Sequence, residues 1–579
     1  MKSTTAKAFA LLCAMMLTAL LPAAARHTLF SSGKTDYTIV VPEGAAPTLR
    51  NAAQELQKYL REAGGVDMPV ETKACSGGGK HLFVGFNANG KAVVEGKRAL
   101  GEKDSYTYSS RGSSIYFYGN SPRSAMYAVF SFLEDWLGVR WFAHDLTRVP
   151  QVREYSFTKL KKTSTAAIAM RLILYKECED TRWCAHNKVN GNHVEEEWGG
   201  FDEFSGIHSS TTYMPASEYF DSHPEYYALR NGQRTRDGQL CLTNPDVRRI
   251  LTQKLLATIE RNPAPMIYDM SQADNRNYCT CPECEALAAK YGAQSGVWIW
   301  FVNQVAREVK KHFPNKFVDT FAYQYTRTPP KGIVPDSNVV IRLCSIECCF
   351  THSLEGCSSE LNKKFLEDIR TWAKIAPHIY IWDYVVAYSQ YAAPFPNLKV
   401  LAPNIATFQK YNSIGVFEEA QYQTLHGELS ELRAYMLSKL LWDPTIPADS
   451  LAREFIDAYY GKAAPAVWKY CQIMENLVTP DTHMGIYPDV HNGIYSDSFI
   501  AEAMKLLQSG MAQCADTATL RRVERVWTAP AFLHVFRAPD RAKADGTLAR
   551  FVAIAKRDKM RMSEGASLEQ YLAKYGLAN

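Results

Sequence analysis

The feature that most constrains the fold is a regular alternation of short apolar runs and helix-compatible segments between residues 161 and 425. Six runs have the length and the β-branched or aromatic content of buried strands: Ile168–Tyr175, Met266–Met270, Phe317–Tyr323, Val339–Ile346, Ile379–Tyr384 and Ile414–Phe417. Segments with apolar residues at helical spacing lie among them: Val247–Ile259, Val297–His312, Leu361–Ala373 and Leu398–Tyr411. This alternation predicts a parallel sheet, and a region of roughly 260 residues suits a (β/α)8-type barrel.

The whole chain is expected to be an α/β protein with four segments. Residues 1–25 combine two lysines, an apolar run and a small-residue cleavage site, which is typical of a signal peptide and predicts secretion, to the periplasm. Residues 26–160 predict a small N-terminal α/β domain, and residues 161–425 predict the catalytic barrel. Residues 426–579 lose the strand signal and predict a helical C-terminal domain.

Charge and motifs exclude several classes of function. The formal net charge of +5 falls to +3 when the signal peptide and its two lysines are removed, so a nucleic-acid partner is not expected. Later stretches do not reach the ~20 apolar residues of a membrane span. No glycine-rich phosphate loop or dinucleotide fingerprint follows a strand, and no cofactor is predicted.

The N-terminal segment carries a set of motifs that resembles a known accessory domain. These motifs are Gly64-Gly65 after a helix, Phe83-Val84-Gly85, Tyr118-Gly119, the helical run Ala125–Val129 and Gly138-Val139-Arg140-Trp141-Phe142. Together they resemble the domain that precedes the catalytic barrel in α-glucuronidases and in the β-hexosaminidases of glycoside hydrolase family twenty. The resemblance implies a neighbouring barrel and assigns no catalytic residue.

The middle segment resembles a bacterial domain-of-unknown-function family that occurs with this N-terminal domain and is itself similar to glycoside hydrolases. The motifs are His223-Pro224-Glu225-Tyr226-Tyr227, Cys241-Leu242-Thr243-Asn244-Pro245 and the cysteines Cys279, Cys281 and Cys284. The adjacent Asp-Glu pair of the family-twenty hexosaminidases is missing after Met270. The catalytic motifs of α-glucuronidases are not recognisable either, so neither mechanism transfers to this chain.

Catalytic candidates are carboxylates that directly follow predicted strands, because glycoside hydrolysis uses paired carboxylic acids and barrel enzymes place them at the C-terminal strand ends. Asp274 lies just beyond Met270, and Glu418 and Glu419 follow Phe417. Successive strand side chains point to opposite faces, so at most one glutamate of the pair faces the cleft. The alternatives are a loop-capping role for Asp274 and a surface acidic pair for the glutamates. Asp269 is expected to point into the barrel.

Substrate contacts are predicted for six further residues near strand ends or in the loop-rich second segment: His208, Arg171, Asn275, Trp382, Asp383 and Tyr384. The Trp-Asp-Tyr sequence offers rings for stacking on a sugar and a carboxylate for its hydroxyls. Other interpretations remain open at three positions. Arg171 pairs either with a carboxylated sugar or with a core aspartate, Asp383 is either a ligand or a buried ion-pair partner, and His208 is either a ligand or a surface histidine.

The cysteines are concentrated in the middle of the chain. The sequence has 14 Cys, one of them inside the signal peptide, and most of the others lie between Cys178 and Cys357. Cys279, Cys281 and Cys284 predict either a disulfide-linked loop, which export favours, or a structural zinc site. In the zinc hypothesis three cysteines need a fourth ligand, and five residues are candidates for it: Cys344, Cys348, Cys349, His352 or Cys357. A catalytic metal is not predicted.

These features together predict a secreted glycoside hydrolase-like enzyme that uses paired carboxylates on a complex polysaccharide or glycan, with a uronic acid or an amino sugar as the candidate unit. A carbohydrate is therefore the expected partner. Two alternatives remain open. One is a non-catalytic glycan-binding protein on a barrel scaffold, and the other is a zinc-dependent hydrolase.

Overall fold

The computed structural model describes residues 25–75, 79–93, 99–191, 194–200 and 204–577. The predicted signal peptide lies outside the described residues except for Ala25. The chain forms two compact units, and each is described by itself. The first comprises Met1–Gly96, Ser105–Arg140 and Val149–Ser164, and the second comprises Lys97–Asp104, Trp141–Arg148 and Thr165–Asn579.

The first unit is built on a mixed sheet. The strands up to residue 165, of which β8 and most of β7 belong to the second unit, are β1 (His27–Ser31), β2 (Thr38–Val41), β3 (Val70–Thr72), β4 (His81–Val84), β5 (Ser105–Arg111), β6 (Ser114–Gly119), β7 (Arg140–Ala143), β8 (Leu146–Arg148), β9 (Glu154–Phe157) and β10 (Lys161–Thr165). Six of them form one sheet in the order β10-β5-β6-β4-β2-β3. The helices are α1 (Pro47–Gly64) and α2 (Pro122–Trp136). Ser121 caps α2 and Pro122 opens it, as the sequence predicts.

The second unit contains the predicted barrel. Its further strands are β11 (Met170–Ile173), β12 (Phe204–Ser205), β13 (Leu229–Arg230), β14 (Gln233–Arg234), β15 (Ile267–Asp269), β16 (Phe317–Ala322), β17 (Val339–Cys344), β18 (His378–Tyr384) and β19 (Gly415–Glu419). Seven of these form a parallel sheet in the order β11-β19-β18-β17-β16-β15-β12. The first strand therefore pairs with the last, as in a (β/α)8-type barrel, and the fold-class prediction is confirmed.

Helices follow the barrel strands and continue beyond them. Those between β11 and β19 are α3 (Thr181–His186), α4 (Ser209–Tyr213), α5 (Ala216–Tyr219), α6 (Pro245–Arg261), α7 (Pro282–Tyr291), α8 (Gln294–His312), α9 (Glu360–Ile375) and α10 (Leu401–Lys410). After β19 the chain is helical: α11 (Ser430–Trp442), α12 (Ala448–Tyr460), α13 (Ala464–Glu475), α14 (Asp497–Met511), α15 (Thr517–Arg537), α16 (Pro539–Ala544), α17 (Thr547–Arg557) and α18 (Leu568–Lys574). Among the described residues, none of these helices is long and apolar enough to cross a membrane.

The local sequence explains why these strands pack so closely. All six residues of β17 are buried, as expected of a strand covered on both faces. Gly415 opens β19 where a Cβ would lie 2.3 Å from the Tyr380 ring and 2.8 Å from the Met170 Cβ, so a larger residue would separate the strands. Because neighbouring strands are parallel, their carboxyl ends meet at one edge of the sheet, and the loops after β15 to β19 converge there.

Candidate functional site

The carboxyl ends of the barrel strands enclose a pocket of about 240 Å³. Its lining combines carboxylates, aromatic rings and one histidine: Ile207, His208, Asp274, Phe321, Tyr323, Cys344, Ile346, Trp382, Tyr384, Tyr388, Glu419, Tyr422, Tyr487 and Glu564. The structure thus brings five of the nominated residues into one site, namely His208, Asp274, Trp382, Tyr384 and Glu419. Neither arginine nor lysine occurs among the described residues that line it.

Glu419 is the last residue of β19 and lies in the wall of the pocket. The Trp382 indole Nε1–H donates a hydrogen bond of 2.7 Å to Glu419 Oε2. Burial raises the pKa of Glu419 to about 7, the Trp382 hydrogen bond opposes this, and the charges of Glu564 and Asp274 raise it further. A carboxyl with a pKa near neutrality holds a proton that it can give to a leaving group.

Asp274 projects from the loop after β15. Its Oδ1 accepts a hydrogen bond of 3.0 Å from the Tyr323 hydroxyl. The loop itself is held by Gln239, whose side chain donates to the Ala273 carbonyl (2.8 Å) and accepts from the Ala273 N–H (3.0 Å). These contacts fix the backbone next to Asp274 and orient its carboxylate in the pocket.

The third carboxylate, Glu564, comes from the segment between α17 and α18. Its backbone N–H donates a hydrogen bond of 2.9 Å to the Tyr388 carbonyl, and this bond anchors Glu564 beside the pocket. Burial raises the pKa of Glu564, and the charge of Asp274 adds to this effect. Glu564 could not be selected from the sequence, because it follows no strand and lies far along the chain from the barrel strands.

His208 occupies a constrained position. Its φ of 50° lies in the left-handed region that non-glycine residues rarely adopt. Its backbone N–H donates a hydrogen bond of 3.0 Å to Ser271 Oγ, and its Nδ1 lies 2.7 Å from the Gln272 carbonyl oxygen. Because a carbonyl only accepts, Nδ1 carries the proton and Nε2 keeps the lone pair for a ligand. The Nε2 atom is therefore the ring nitrogen that can accept a hydrogen bond from a ligand.

Aromatic rings cover much of the pocket. Trp382 meets Phe321 edge-on with ring centroids 5.5 Å apart. Tyr388 lies 5.9 Å from Tyr384 and 6.2 Å from Tyr487. Such rings offer apolar faces and phenol hydroxyls to a ligand that is itself amphipathic. Tyr388 and Tyr487 were not selected from the sequence, since tyrosine is common in this chain and neither residue directly follows a strand.

Beneath these rings lies what we call the floor cluster: Phe204, Asp269, Asp319 and Arg342. Arg342 Nε is 2.7 Å from Asp319 Oδ2, and the Arg342 guanidinium lies 3.7 Å from the centroid of the Phe204 ring. Asp269 Oδ2 accepts hydrogen bonds from Ser209 N–H (2.8 Å) and from Ser271 Oγ (2.9 Å). Asp269 therefore points into the barrel as predicted, and it orders the loop that carries His208.

Glu418 and Asp383 are not among the residues that line the pocket. They are paired in register on neighbouring strands and point to the face opposite Glu419 and Tyr384. Burial and the nearby charge of Asp383 raise the pKa of Glu418 well above its usual range. Burial raises the pKa of Asp383 to about 6, against a hydrogen bond from Ser345 Oγ. The alternation of strand side chains separates both groups from Glu419.

Arg171 and Asn275 do not line the pocket either. Arg171 is fully buried and makes an ion pair of 2.8 Å with Asp104, so the core-aspartate alternative is the one that the structure shows. Asn275 braces its own loop, because its Oδ1 accepts from the Asn277 N–H at 2.9 Å and from Gln239 Nε2 at 3.2 Å.

The cysteines form clusters rather than disulfides. All thirteen cysteines of the described residues are free thiols. Cys279, Cys281 and Cys284 converge on Cys241, with the four Sγ atoms within 4.8 Å of one another. Cys241 was not among the residues considered as the fourth ligand. Three of those residues, Cys349, His352 and Cys357, instead belong to a second group, which His483 completes.

Comparison with known proteins places this geometry in context. The model of a family described as "Domain of unknown function (DUF4838)" matches residues 141–472. No curated protein sequence matches the chain. Among solved structures, a GH115 4-O-methyl-α-glucuronidase with specificity for decorated arabinogalactans is similar at a TM-score of 0.56 and 10% identity, covering 96% of this chain and 79% of that one.

A second similar structure is a GH138 enzyme targeting pectin rhamnogalacturonan II. It aligns at a TM-score of 0.50 and 10% identity, covering 93% of this chain and 98% of that one. At this identity the likeness concerns the fold alone. It confirms that the chain has a fold similar to those of glycoside hydrolases.

Proposed function

The chain belongs to the DUF4838 family, and from its glycoside hydrolase-like fold and its pocket we propose that it is a glycoside hydrolase. Glu419 acts as the general acid that protonates the leaving glycosidic oxygen. Asp274 is the second carboxylate, which acts on the sugar or on the attacking water from the other side of the bond. Trp382 and Tyr323 hold these two groups in place through hydrogen bonds.

The observation that carries this proposal is the environment of Glu419. Its pKa is raised to about 7 by burial and by two neighbouring carboxylates. Glycosidases need one carboxyl that stays protonated near neutral pH and one partner carboxylate, and a pair in different environments meets that need. The pocket provides both from the ends of strands, where barrel enzymes carry their chemistry.

The charges of the pocket favour an uncharged sugar. Asp274, Glu419 and Glu564 contribute carboxylates, and the described lining residues include no arginine or lysine that would attract a uronate. A uronic acid would therefore bring a further negative charge without a partner. We therefore propose a neutral sugar as the unit bound in the pocket, in place of the uronic acid considered from the sequence.

The size of the pocket favours cleavage at a chain end over cleavage within a chain. About 240 Å³ is less than the roughly 300–1,000 Å³ typical of sites for larger ligands. A cavity of this size suits a single sugar ring stacked on Trp382 or a tyrosine, with the remainder of the glycan outside. We propose that the enzyme removes one sugar unit from a chain end.

Hydrolysis of a panel of neutral, amino-sugar and uronic-acid glycosides by the purified protein tests this function. Wild type should release a neutral sugar, and Asp274→Asn and Glu419→Gln should each lower kcat/KM by about 10²–10⁴-fold. Glu418→Gln is the matched control, one residue from Glu419 on the opposite face, and should keep wild-type activity.

The leaving group separates the two roles. Dinitrophenolate departs without a proton, so Glu419→Gln should lose far less activity on dinitrophenyl glycosides than on natural glycans, while Asp274→Asn should lose activity on both. A wild-type protein that binds glycans in a shift assay but hydrolyses none of the panel would contradict the proposal and favour the glycan-binding alternative. Equal loss in Glu418→Gln would discard the assignment of Glu419.

A further inference from the structure

Four buried cysteine thiols converge at one point outside the pocket. Cys241, Cys279, Cys281 and Cys284 are each at most 4% exposed, and their Sγ atoms all lie within 4.8 Å of one another. Cys241 Sγ and Cys281 Sγ are 3.7 Å apart. Four thiols around one centre is the arrangement of a tetrahedral metal site, whereas disulfides would join them as two separate pairs.

The spacing fits a single ion. Zinc bonded to sulfur at about 2.3 Å in a tetrahedron has sulfur–sulfur edges of about 3.8 Å, close to the observed 3.7 Å. A four-iron cluster would need a wider cage than one in which all four sulfurs lie within 4.8 Å. The geometry therefore selects a mononuclear tetrahedral site, for which zinc is the usual ion with four thiolates.

Polar groups around the sulfurs match the negative charge that four thiolates would carry. The Leu229 N–H donates to Cys279 Sγ at 3.3 Å, and the Thr243 hydroxyl lies 3.3 Å from Cys284 Sγ. The Arg234 guanidinium approaches Cys279 Sγ at 3.9 Å. Donors of this kind orient thiolate ligands and offset their charge.

We propose that Cys241, Cys279, Cys281 and Cys284 bind one structural Zn²⁺, which we call the four-cysteine site. It joins the segment before α6 to the start of α7 and closes the loop that carries Asp274. Gln239, two residues before Cys241, holds Ala273 through the two hydrogen bonds described above. The ion thus fixes both ends of the connection that positions a carboxylate of the pocket.

A second group supports a separate zinc site through a different observation. Cys349 Sγ is 3.5 Å from His352 Nδ1, and Cys357 Sγ is 3.6 Å from His483 Nδ1. The opposite nitrogens are already engaged, since His352 Nε2 meets the Thr479 carbonyl at 3.0 Å and His483 Nε2 meets Ser358 Oγ at 3.3 Å. The Thr479 carbonyl only accepts, so His352 carries its proton on Nε2 and turns its Nδ1 lone pair towards the thiols; the Ser358 hydroxyl, as an acceptor, permits the same tautomer in His483, and such partners are usual for a histidine ligand.

We infer that Cys349, His352, Cys357 and His483 bind a second Zn²⁺, which we call the mixed site. Its ligands join the loop after β17 to the segment between α13 and α14. That segment also carries Tyr487 of the pocket wall. A backbone hydrogen bond joins the same two segments, since the Phe350 N–H donates to the Met484 carbonyl at 2.9 Å.

The test is the metal content of the full chain expressed with added zinc. Two zinc ions per chain are expected, and X-ray absorption should show sulfur near 2.3 Å together with nitrogen near 2.0 Å. Cys241→Ser should remove one ion and leave a mixed sulfur–nitrogen signal, and Cys357→Ser should remove the other and leave sulfur alone. Cys471→Ala, a buried cysteine outside both groups, is the matched control and should keep two ions.

The outcomes against the proposals are equally defined. Zinc-free protein with the cysteines paired as disulfides by mass spectrometry under non-reducing conditions would overturn both sites. One ion per chain with sulfur ligands alone would overturn the mixed site, and iron in place of zinc would overturn the assignment of the metal. Metal content and absorption of the wild type decide these questions even if a variant fails to fold.

Discussion

The pocket and the floor cluster lie in one barrel and both bury carboxylates, but among the described residues only the floor cluster places an arginine beside one. In the floor cluster Asp319 has the Arg342 guanidinium and Asp269 has an amide and a hydroxyl donor. In the pocket Glu419 has one indole N–H and faces two other carboxylates. Burial raises the pKa of Asp319 well above its usual range even though Arg342 opposes this effect, whereas Glu419 lines the pocket with two carboxylates as its charged neighbours, so its proton is the one available for chemistry.

The comparison predicts its largest effect on stability in the floor cluster. Arg342→Met leaves Asp319 buried without its cation and should lower the free energy of unfolding by about 3–5 kcal/mol. Arg307→Met is a matched control, because Arg307 also pairs with an aspartate but is exposed, and it should cost no more than about 1 kcal/mol. Denaturant unfolding measures both. Equal losses of unfolding free energy would show that the buried Arg342–Asp319 pair contributes no more to stability than an exposed pair.

Removing the Glu419 carboxylate should instead stabilise the fold, by an amount that depends on pH. The pKa of Glu419 is raised from 4.5 to about 7 on folding, so the unfolded chain ionises first and wild-type stability falls as pH rises between these values. Glutamine does not ionise, so the free energy of unfolding of Glu419→Gln should rise relative to that of wild type as pH increases from 4 to 8, by up to about 3 kcal/mol. A stability difference that is constant over this range would contradict the assigned environment.

The pH profile of hydrolysis should move in opposite directions in two variants. Glu564→Gln removes a negative charge that raises the pKa of Glu419, so the alkaline limb of kcat/KM should shift to lower pH. Trp382→Phe removes the hydrogen bond that lowers it, so the limb should shift to higher pH. Each shift should be within about one pH unit, equivalent to ~1.4 kcal/mol. Shifts of the same sign would rule out Glu419 as the titrating acid.

The smallest effect is expected at Glu418. The raised pKa of its buried carboxyl keeps it neutral, so Glu418→Gln exchanges one neutral group for another of similar shape. We expect less than about 1 kcal/mol change in unfolding free energy and unaltered kcat/KM. A thermal melt and the hydrolysis assay check both. A large loss of activity would mean that Glu418 affects the pocket from the opposite face of β19.

Much of the fold could be predicted because its signals are local. Six barrel strands were visible as apolar runs, and all six are present as β11 and β15 to β19. The seventh, β12, has two residues, Phe204 and Ser205, which is too short for any periodicity. It lies in the loop-rich segment after Lys176, and its position there could not come from the sequence.

The site was predictable only where chemistry followed a strand directly. Strand alternation showed that one of Glu418 and Glu419 would face the cleft, but choosing between them requires the phase of β19 in the sheet. Contacts between distant residues were out of reach. Asp104 and Arg171 are 67 residues apart, and Cys241 and Cys281 are 40 apart. Nothing local marks such partners, because folding alone brings them together.

Two walls of the pocket, Tyr487 and Glu564, lie beyond residue 472, where the family match ends. The boundary of the family match therefore cuts through the pocket: a protein truncated there keeps Asp274 and Glu419 but has an open, less acidic cavity. Two chains that share the family match can differ in these C-terminal segments, and so in the size and charge of the pocket, without any change in the barrel strands. The pocket can thus be reshaped from the C-terminal segments while the carboxylates at the strand ends stay in the barrel.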